Sequence, residues 1–153
     1  VLREFRGVPN RLEVVRTHEE RTFVNDTTAT TPEAVIAALR SFPGQRVILI
    51  TGGTDKNLNY RGLASILRGE ESLCGVILLE GSATDKLLSA LGDSSLVRES
   101  SRVRAMPAAV ERAWAISQSG DVILLSPGAA SFELFRDEFD RGEQFRAAVE
   151  KIQ

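Results

Sequence analysis

The stretch Val47-Ile48-Leu49-Ile50-Thr51-Gly52-Gly53-Thr54-Asp55-Lys56 joins four consecutive apolar residues to a loop rich in glycine and polar side chains. Two further apolar runs, Val76-Ile77-Leu78-Leu79 and Val122-Ile123-Leu124-Leu125, have the same character. Such near-continuous runs are typical of strands that are covered on both faces, as in a parallel sheet. The segments with helical periodicity that separate these runs are residues 60–68, 84–91 and 107–118. The chain therefore alternates strands with helices.

The N-terminal part of the sequence predicts an antiparallel pair and then the first helix. Leu12–Arg16 and Thr22–Asn25 flank the polar turn His18–Arg21, which is a hairpin signal. Thr31 is the expected N-cap of the helix that follows, with Pro32 at its first position. The predicted fold class is α/β: a Rossmann-like, doubly wound, mostly parallel sheet with an N-terminal antiparallel hairpin-like strand.

The C-terminal stretch from Ser131 onward also has helical character, and a break is predicted near Arg141-Gly142. Phe132, Phe135 and Phe139 fall at positions i, i+3 and i+7 of this stretch. Core packing explains that spacing more economically than stacking on a ligand.

Composition excludes several classes of protein. The chain has 153 residues, of which 42% are hydrophobic, and is long enough for one domain. A net charge of -2 gives no electrostatic footprint for nucleic acid, and no apolar run approaches the ~20 residues of a membrane helix. The single Cys74 excludes an internal disulfide, and the single His18 argues against a zinc site, so we expect structural roles for both. Because the only methionine is Met106, we expect the chain to be a fragment or a processed piece.

Polar residues separate according to the edge of the predicted sheet. The loops that leave the parallel strands are rich in Asp, Thr, Ser and Gly, whereas the loops that enter them are less rich in these residues. The leaving loops are residues 25–31, 51–56, 81–85 and 126–131. Open α/β sheets bind ligands at the carboxyl ends of their strands, where helix N-termini and free backbone N–H groups attract anions. The sequence therefore predicts a site for a polar small molecule that carries phosphate or carboxylate.

Self-contained catalysis is not expected from these residues. The sequence has no G-x-x-x-x-G-K-[ST] phosphate loop, no G-x-G-x-x-G fingerprint and no nucleophile elbow. The candidate residues also have structural interpretations: Asp26 as a helix cap, Gly52-Gly53 as a tight strand exit, Lys56 as a solvated lysine and Ser131 as the N-cap of the last helix.

Four ordered motifs resemble the C-terminal domain of the Mur ligases. The motifs are residues 25–34, 52–56, 125–132 and 141–145. The resemblance covers nearly the whole chain, from Asn10-Arg11-Leu12-Glu13 to the end. Family members that add other residues tend to carry a histidine after the corresponding aspartate. This chain has none there, which favours the D-glutamate-adding branch.

The resemblance implies that residues 1–153 form a single domain, the third domain of a cytoplasmic, monomeric ligase of peptidoglycan synthesis. Its partners would be UDP-N-acetylmuramoyl-L-alanine, D-glutamate and ATP, with an N-terminal and a central domain in cis and no nucleic acid or membrane. ATP and Mg²⁺ would bind mainly to the central domain. ATP would phosphorylate the substrate carboxylate, and the amine of D-glutamate would attack the acyl phosphate.

The resemblance also implies roles for individual residues, none of them catalytic and none of them a metal ligand. The expected nucleotide-binding residues are Asn10, Arg11, Asp26 and Thr28. The expected substrate-binding residues are Thr30, Lys56, Ser131 and the backbone of Phe132. The chain departs from the family pattern at Asn10 (usually histidine), Thr28 (usually lysine) and Glu138 (often aromatic). The alternative is a stand-alone Rossmann-like binding or sensor module without catalysis.

Overall fold

A six-stranded sheet forms the centre of the computed structural model, which describes residues 8–153 apart from the side chains at positions 98 and 99. The strands are β1 (Glu13–His18), β2 (Arg21–Asn25), β3 (Val47–Thr51), β4 (Leu73–Leu79), β5 (Ser101–Val103) and β6 (Val122–Leu125). Their order is β1-β2-β6-β3-β4-β5. β1 pairs with β2 antiparallel, and all other pairs are parallel. The predicted mixed sheet is confirmed.

Helices cover both faces of the sheet. They are α1 (Pro32–Leu39), α2 (Arg61–Gly69), α3 (Ser82–Leu91), α4 (Ser95–Glu99), α5 (Met106–Ile116) and α6 (Glu138–Glu150). α1 to α4 pack on one apolar cluster and α5 and α6 on another. Neighbouring strand residues such as Leu49 and Ile50 belong to opposite clusters, as the alternation of a strand requires. The sheet is therefore doubly wound, and its strands are apolar throughout because both faces are buried.

The C-terminal part of the chain differs from the prediction. Residues 131–137 form turns instead of a helix, and α6 begins only after Asp137, whose side chain accepts a hydrogen bond from the Asp140 amide at 2.7 Å. The expectation that Ser131 caps the last helix is therefore wrong. The predicted break near Arg141-Gly142 is also wrong, because α6 continues through both residues.

The three C-terminal phenylalanines do not form one buried stripe. Phe135 is buried, but the side chains of Phe132 and Phe139 are 70% and 54% exposed. The helical spacing fails here because these residues do not lie on one helix. Core packing therefore explains only Phe135.

The hairpin turn is shorter than predicted. Only Glu19 and Glu20 form it, both with positive φ (47° and 63°). His18 is consequently the last residue of β1 instead of a turn residue, and its ring lies 5.5 Å from that of Trp114. Cys74 lies half-buried within β4, against the cluster under α5.

Candidate functional site

The carboxyl ends of β2, β6 and β3 lie side by side at one edge of the sheet. The helices that follow β2 and β3 pack on one face, whereas the helix that follows β6 packs on the other. Such a switch point opens a crevice between the loops that leave the strands, and open α/β sheets bind their ligands there. The polar loops 25–31, 51–56 and 126–131 leave these three strands, so the structure brings the predicted site loops together.

Hydrogen bonds join the loop after β2 to the loop after β6. The Gly128 amide donates to Ala29 O at 2.7 Å, and the Ser126 hydroxyl donates to Asp26 Oδ2 at 2.9 Å. These bonds fix the main chain immediately before Thr30 and three residues before Ser131. The two expected ligand-binding hydroxyls are thus carried by loops that hold each other in place.

The loop after β6 is joined in turn to the loop after β3. Thr54 and Ala130 exchange two backbone hydrogen bonds, at 2.9 and 3.0 Å. Gly53 lies against this contact, because a Cβ at its position would be 2.6 Å from Ala130 O. The glycine pair is therefore more than a tight strand exit: Gly53 is required by the close approach of the two loops.

Asp26 is a buried carboxylate, 5% exposed, at the end of β2. Its Oδ1 accepts from the Leu12 amide at 3.1 Å, in addition to the Ser126 contact at Oδ2. Burial raises the pKa of Asp26, although these hydrogen bonds and the charge of Arg11 partly offset that effect. The helix-cap interpretation is wrong, since the N-cap of α1 is Thr31, whose side chain accepts from the Ala34 amide. The residues that the structure describes use two of the roughly four acceptor positions of the carboxylate.

A groove of about 520 Å³ lies between the N-terminal segment and α1. Arg11, Asp26 and Thr28 line it together with small residues of α1. Asn10 is adjacent, because its carbonyl oxygen accepts from the Thr28 hydroxyl at 2.9 Å. The structure thus places the four expected nucleotide-binding residues together. The Asn10 side chain is directed elsewhere, since its Oδ1 accepts from Asn25 and Arg146.

The expected substrate-binding residues occupy three adjacent loops. Lys56 is exposed and forms no ion pair with the residues the structure describes. Neither the half-buried Thr30 nor the buried Ser131 uses its hydroxyl in a hydrogen bond within residues 8–153. The Phe132 side chain points to solvent. Because neighbouring strands are ~4.8 Å apart, the loops after β2 and β3 span about 10 Å across β6, which suits a small ligand with two acidic groups.

The segment that carries Lys56 is fixed by its neighbours. Lys86 on α3 pairs with Asp55 at 2.9 Å and donates to Leu58 O at 2.8 Å. This ion pair is the main reason why the pKa of Asp55 lies below its ordinary value. The charge of Lys86 is therefore paired within the loop, whereas the charge of Lys56, on the same loop, is available to a ligand.

Sequence reasoning missed Arg141 as a residue of the site. Its side chain is completely buried and donates to Thr27 and Ala129, which belong to the loops after β2 and β6. The sequence signal is the motif of residues 141–145, which contributes to the family resemblance but assigns no role to Arg141. A contact across 114 positions leaves no local pattern from which it can be inferred.

The described part of the chain contains neither a metal-binding cluster nor a membrane-spanning helix. No group of three or more His, Cys, Asp or Glu side chains in residues 8–153 comes close enough together to hold a metal ion. No helix among those residues is long and apolar enough to span a bilayer.

Comparisons with known proteins agree with this architecture. The profile of the family described as "Mur ligase, glutamate ligase domain" matches residues 10–129. A UDP-N-acetylmuramoylalanine--D-glutamate ligase from Roseiflexus sp. (strain RS-1) is 47% identical over 152 residues, which cover 97% of this chain and 31% of the relative. The chain therefore spans about a third of the length of such curated relatives.

Two solved structures are similar in fold. The structure of a UDP-N-acetylmuramoyl-L-alanyl-D-glutamate--2,6-diaminopimelate ligase has a TM-score of 0.64 at 22% identity, over 96% of this chain and 32% of that one. Folylpolyglutamate synthase of Mycobacterium tuberculosis, complexed with ADP and AMPPCP, has a TM-score of 0.62 at 16% identity, over 96% of this chain and 34% of that one.

The doubly wound sheet and its switch-point crevice define a Rossmann-like ligand-binding domain. Within that class, the chain belongs to the Mur ligase glutamate ligase domain family, because the family profile matches most of its length. The resemblance carried by the four sequence motifs is confirmed.

Proposed function

We propose that this chain is the C-terminal substrate-binding domain of an ATP-dependent ligase that adds D-glutamate to UDP-N-acetylmuramoyl-L-alanine in peptidoglycan synthesis. The observation that carries the proposal is the switch-point crevice, where three joined loops carry Thr30, Lys56 and Ser131. The side chains of these three residues form no hydrogen bond or ion pair with the residues that the structure describes. The name of the Roseiflexus relative, 47% identical over 97% of this chain, supports the choice of D-glutamate.

D-Glutamate carries two carboxylates, and the crevice offers groups that bind them. The ammonium of Lys56 is a point cation for one carboxylate, and charge-assisted hydrogen bonds of this kind are roughly twice as strong as neutral ones. The hydroxyls of Thr30 and Ser131 and the backbone of Phe132 supply further contacts. No helix begins at Ser131, so helix-start amides do not contribute.

The nucleotide meets this domain at the groove beside α1. When bound, ATP supplies the phosphoryl group that activates the substrate carboxylate. Arg11, Asp26 and Thr28 line the groove, and the free acceptor positions of Asp26 suit the hydroxyls of a ribose. We place Mg²⁺ and the phosphates mainly on a central domain in cis, and we expect a monomer that acts in the cytoplasm. The nucleotide complex of the structurally similar folylpolyglutamate synthase supports the ATP assignment.

The test measures D-glutamate-dependent phosphate release by the complete ligase that contains this chain. We expect Lys56→Ala to lower kcat/KM for D-glutamate at least about a hundredfold, roughly 2.7 kcal/mol, because it leaves a partly desolvated carboxylate without its cation. Thr28→Lys, which restores the cation usual in the family, is expected to cost little activity and to rescue part of that loss. Lys151→Ala is the matched control, since Lys151 is an exposed lysine at the far end of α6.

Two outcomes contradict the proposal at different levels. A Lys56→Ala enzyme within about threefold of wild type means that Lys56 is only a solvated loop lysine. A complete protein that releases no phosphate in response to D-glutamate supports the stand-alone binding or sensor module instead. The 153-residue chain by itself is expected to hydrolyse no ATP, because its sequence contains no phosphate loop.

A further inference from the structure

Arg141 is a completely buried cation on the first turn of α6. Its guanidinium donates from Nε to Thr27 Oγ1 at 2.9 Å, from Nη2 to Thr27 O at 2.8 Å and from Nη1 to Ala129 O at 3.0 Å. It forms no ion pair with any residue of the part the structure describes. All of its partners are neutral oxygens of the two loops that border the crevice.

A buried charge without a counter-ion is costly for folding, and apolar side chains of similar volume fill such a space at lower cost. Burial lowers the pKa of Arg141 to about 10, although the negative charge of Glu138 partly offsets that effect, so the side chain still carries its charge at neutral pH. Packing alone therefore does not account for an arginine at this position. What distinguishes arginine is its planar fork of donors, which reaches both loops at once.

We propose that Arg141 is a positioning residue that sets the distance between the loop after β2 and the loop after β6, and thereby the affinity for an anionic amino acid. Thr27 precedes Thr30 by three positions and Ala129 precedes Ser131 by two, so a change at either anchor moves a ligand-binding hydroxyl. Thr27 Oγ1 also donates to Glu138 O at 2.7 Å, which ties the same anchor to the start of α6. The inference rests on the proposed function for the identity of the amino acid.

The test substitution is Arg141→Lys, which keeps the charge but loses the fork. In the complete ligase, we expect the KM for D-glutamate to rise about tenfold or more while kcat stays within about threefold. A merely structural role gives a different pattern: a smaller folded fraction lowers the apparent kcat and leaves KM unchanged. The split between KM and kcat therefore separates positioning from stability.

Arg16→Lys is the matched control. Arg16 also donates to backbone carbonyls, those of Val149 and Ile152 at 2.8 Å each, but at the C-terminal end of α6. Its substitution is expected to lower stability without changing the KM for D-glutamate. An Arg141→Lys enzyme with the KM of wild type, or with a KM shift no larger than that of Arg16→Lys, overturns the proposal.

A second variant decides the matter if Arg141→Lys fails to fold. Thr27→Val keeps the shape of the side chain and removes the oxygen that accepts from Arg141 Nε. We expect the KM for D-glutamate to rise about threefold or more in this variant, since one of the arginine's three contacts is lost. An unchanged KM overturns the proposal.

Amide hydrogen exchange tests, without any measurement of ligase activity, whether Arg141 holds the loops after β2 and β6 together. The amides of Gly128 and Ala130 bond to Ala29 O and Thr54 O across the loops. In the 153-residue chain they are expected to exchange at least about tenfold faster in Arg141→Lys than in Arg16→Lys. Equal exchange rates refute the positioning role. If exchange is faster in Arg141→Lys but the complete protein does not respond to D-glutamate, the link that Arg141 forms between the loops is supported and the proposed function is refuted. The two failures are therefore distinguishable.

Discussion

Replacing Gly142 by alanine has two opposing effects on stability, because it favours the helix but crowds the site. Gly142 lies inside α6, where alanine is normally preferred over glycine by roughly 1 kcal/mol. Helix propensity alone therefore predicts that Gly142→Ala stabilises the protein. The packing of α6 against the site predicts the opposite.

A Cβ at Gly142 has no space. It would lie 2.5 Å from Asn10 Oδ1, 2.8 Å from Thr27 Cγ2 and 3.1 Å from Asn25 Nδ2. These atoms cannot withdraw freely, because Asn10 Oδ1 accepts from Asn25 and Arg146, and Thr27 is held by Arg141. Overpacking costs ~1–3 kcal/mol, and each displaced hydrogen bond adds ~1 kcal/mol. After the gain in helix propensity is subtracted, we expect a net loss of about 2 kcal/mol in the free energy of unfolding.

The assay is urea unfolding of the 153-residue chain, with thermal melts as a second measurement. A loss of about 2 kcal/mol corresponds to a decrease of roughly 4–8 °C in Tm for a domain of this size. Gly62→Ala in α2 is the control, because no atom lies within 4 Å of the position its Cβ would take. That variant is expected to gain ~0.5–1 kcal/mol. A Gly142→Ala protein at least as stable as wild type refutes the reasoning.

Three further predictions concern hydrogen-bonded side chains: Tyr60 and Asp26 at the crevice, and Glu80, which follows β4. Tyr60 donates from its buried hydroxyl to Gly128 O at 2.7 Å, so Tyr60→Phe is expected to cost about 1 kcal/mol in urea unfolding and to leave m unchanged; an unchanged midpoint contradicts it. Burial raises the pKa of Asp26, so the ionised carboxylate lowers the stability of the folded protein. Wild type should therefore gain stability relative to Asp26→Asn as the pH falls through that raised pKa toward 3.8, and a stability difference that does not change with pH contradicts the prediction. The pKa of Glu80 is lowered by its pairing with Arg102, so wild type should be more stable than Glu80→Gln above pH 4.5, by at most about 1 kcal/mol. This difference in the free energy of unfolding should disappear as the pH falls through the lowered pKa. Unfolding curves at several pH values measure the difference, and a difference that grows in acid contradicts the prediction.

The sheet was predictable because its strands are marked by composition alone. Val47–Ile50 and Val122–Leu125 are apolar at every position, since helices cover both faces of each strand. β5 and α4 were missed because three and five residues are too few to establish a period. The start of α6 was misplaced because Ser131 and Asp137 are equally good N-caps by residue type, and only the tertiary contacts of residues 131–137 choose between them.

The position of the site was predictable, but its construction was not. The polar loops were assigned to the correct edge because parallel strands leave the sheet in one direction. Which polar residues face a ligand and which hold the loops together depends on contacts between distant parts of the chain. The Asp26 side chain accepts hydrogen bonds from Leu12 and Ser126, and the Asn10 side chain accepts one from Asn25. The Lys56 side chain, in contrast, forms no ion pair within the described residues.

The three departures from the family pattern meet around one point of the structure. Thr28 donates from both its amide and its hydroxyl to the carbonyl oxygen of Asn10, and Glu138 accepts from the hydroxyl of Thr27. Asn10 and the backbone carbonyl of Glu138 therefore both contact the segment Thr27-Thr28, of which Thr28 lines the groove proposed for the nucleotide. Of the residues proposed to bind the amino acid, Lys56, Ser131 and Phe132 lie on the loops after β3 and β6, whereas Thr30 lies two positions after Thr28. Asn10 and Thr28 lie at the groove proposed for the nucleotide, so a change in nucleotide affinity is the most direct consequence of these two departures.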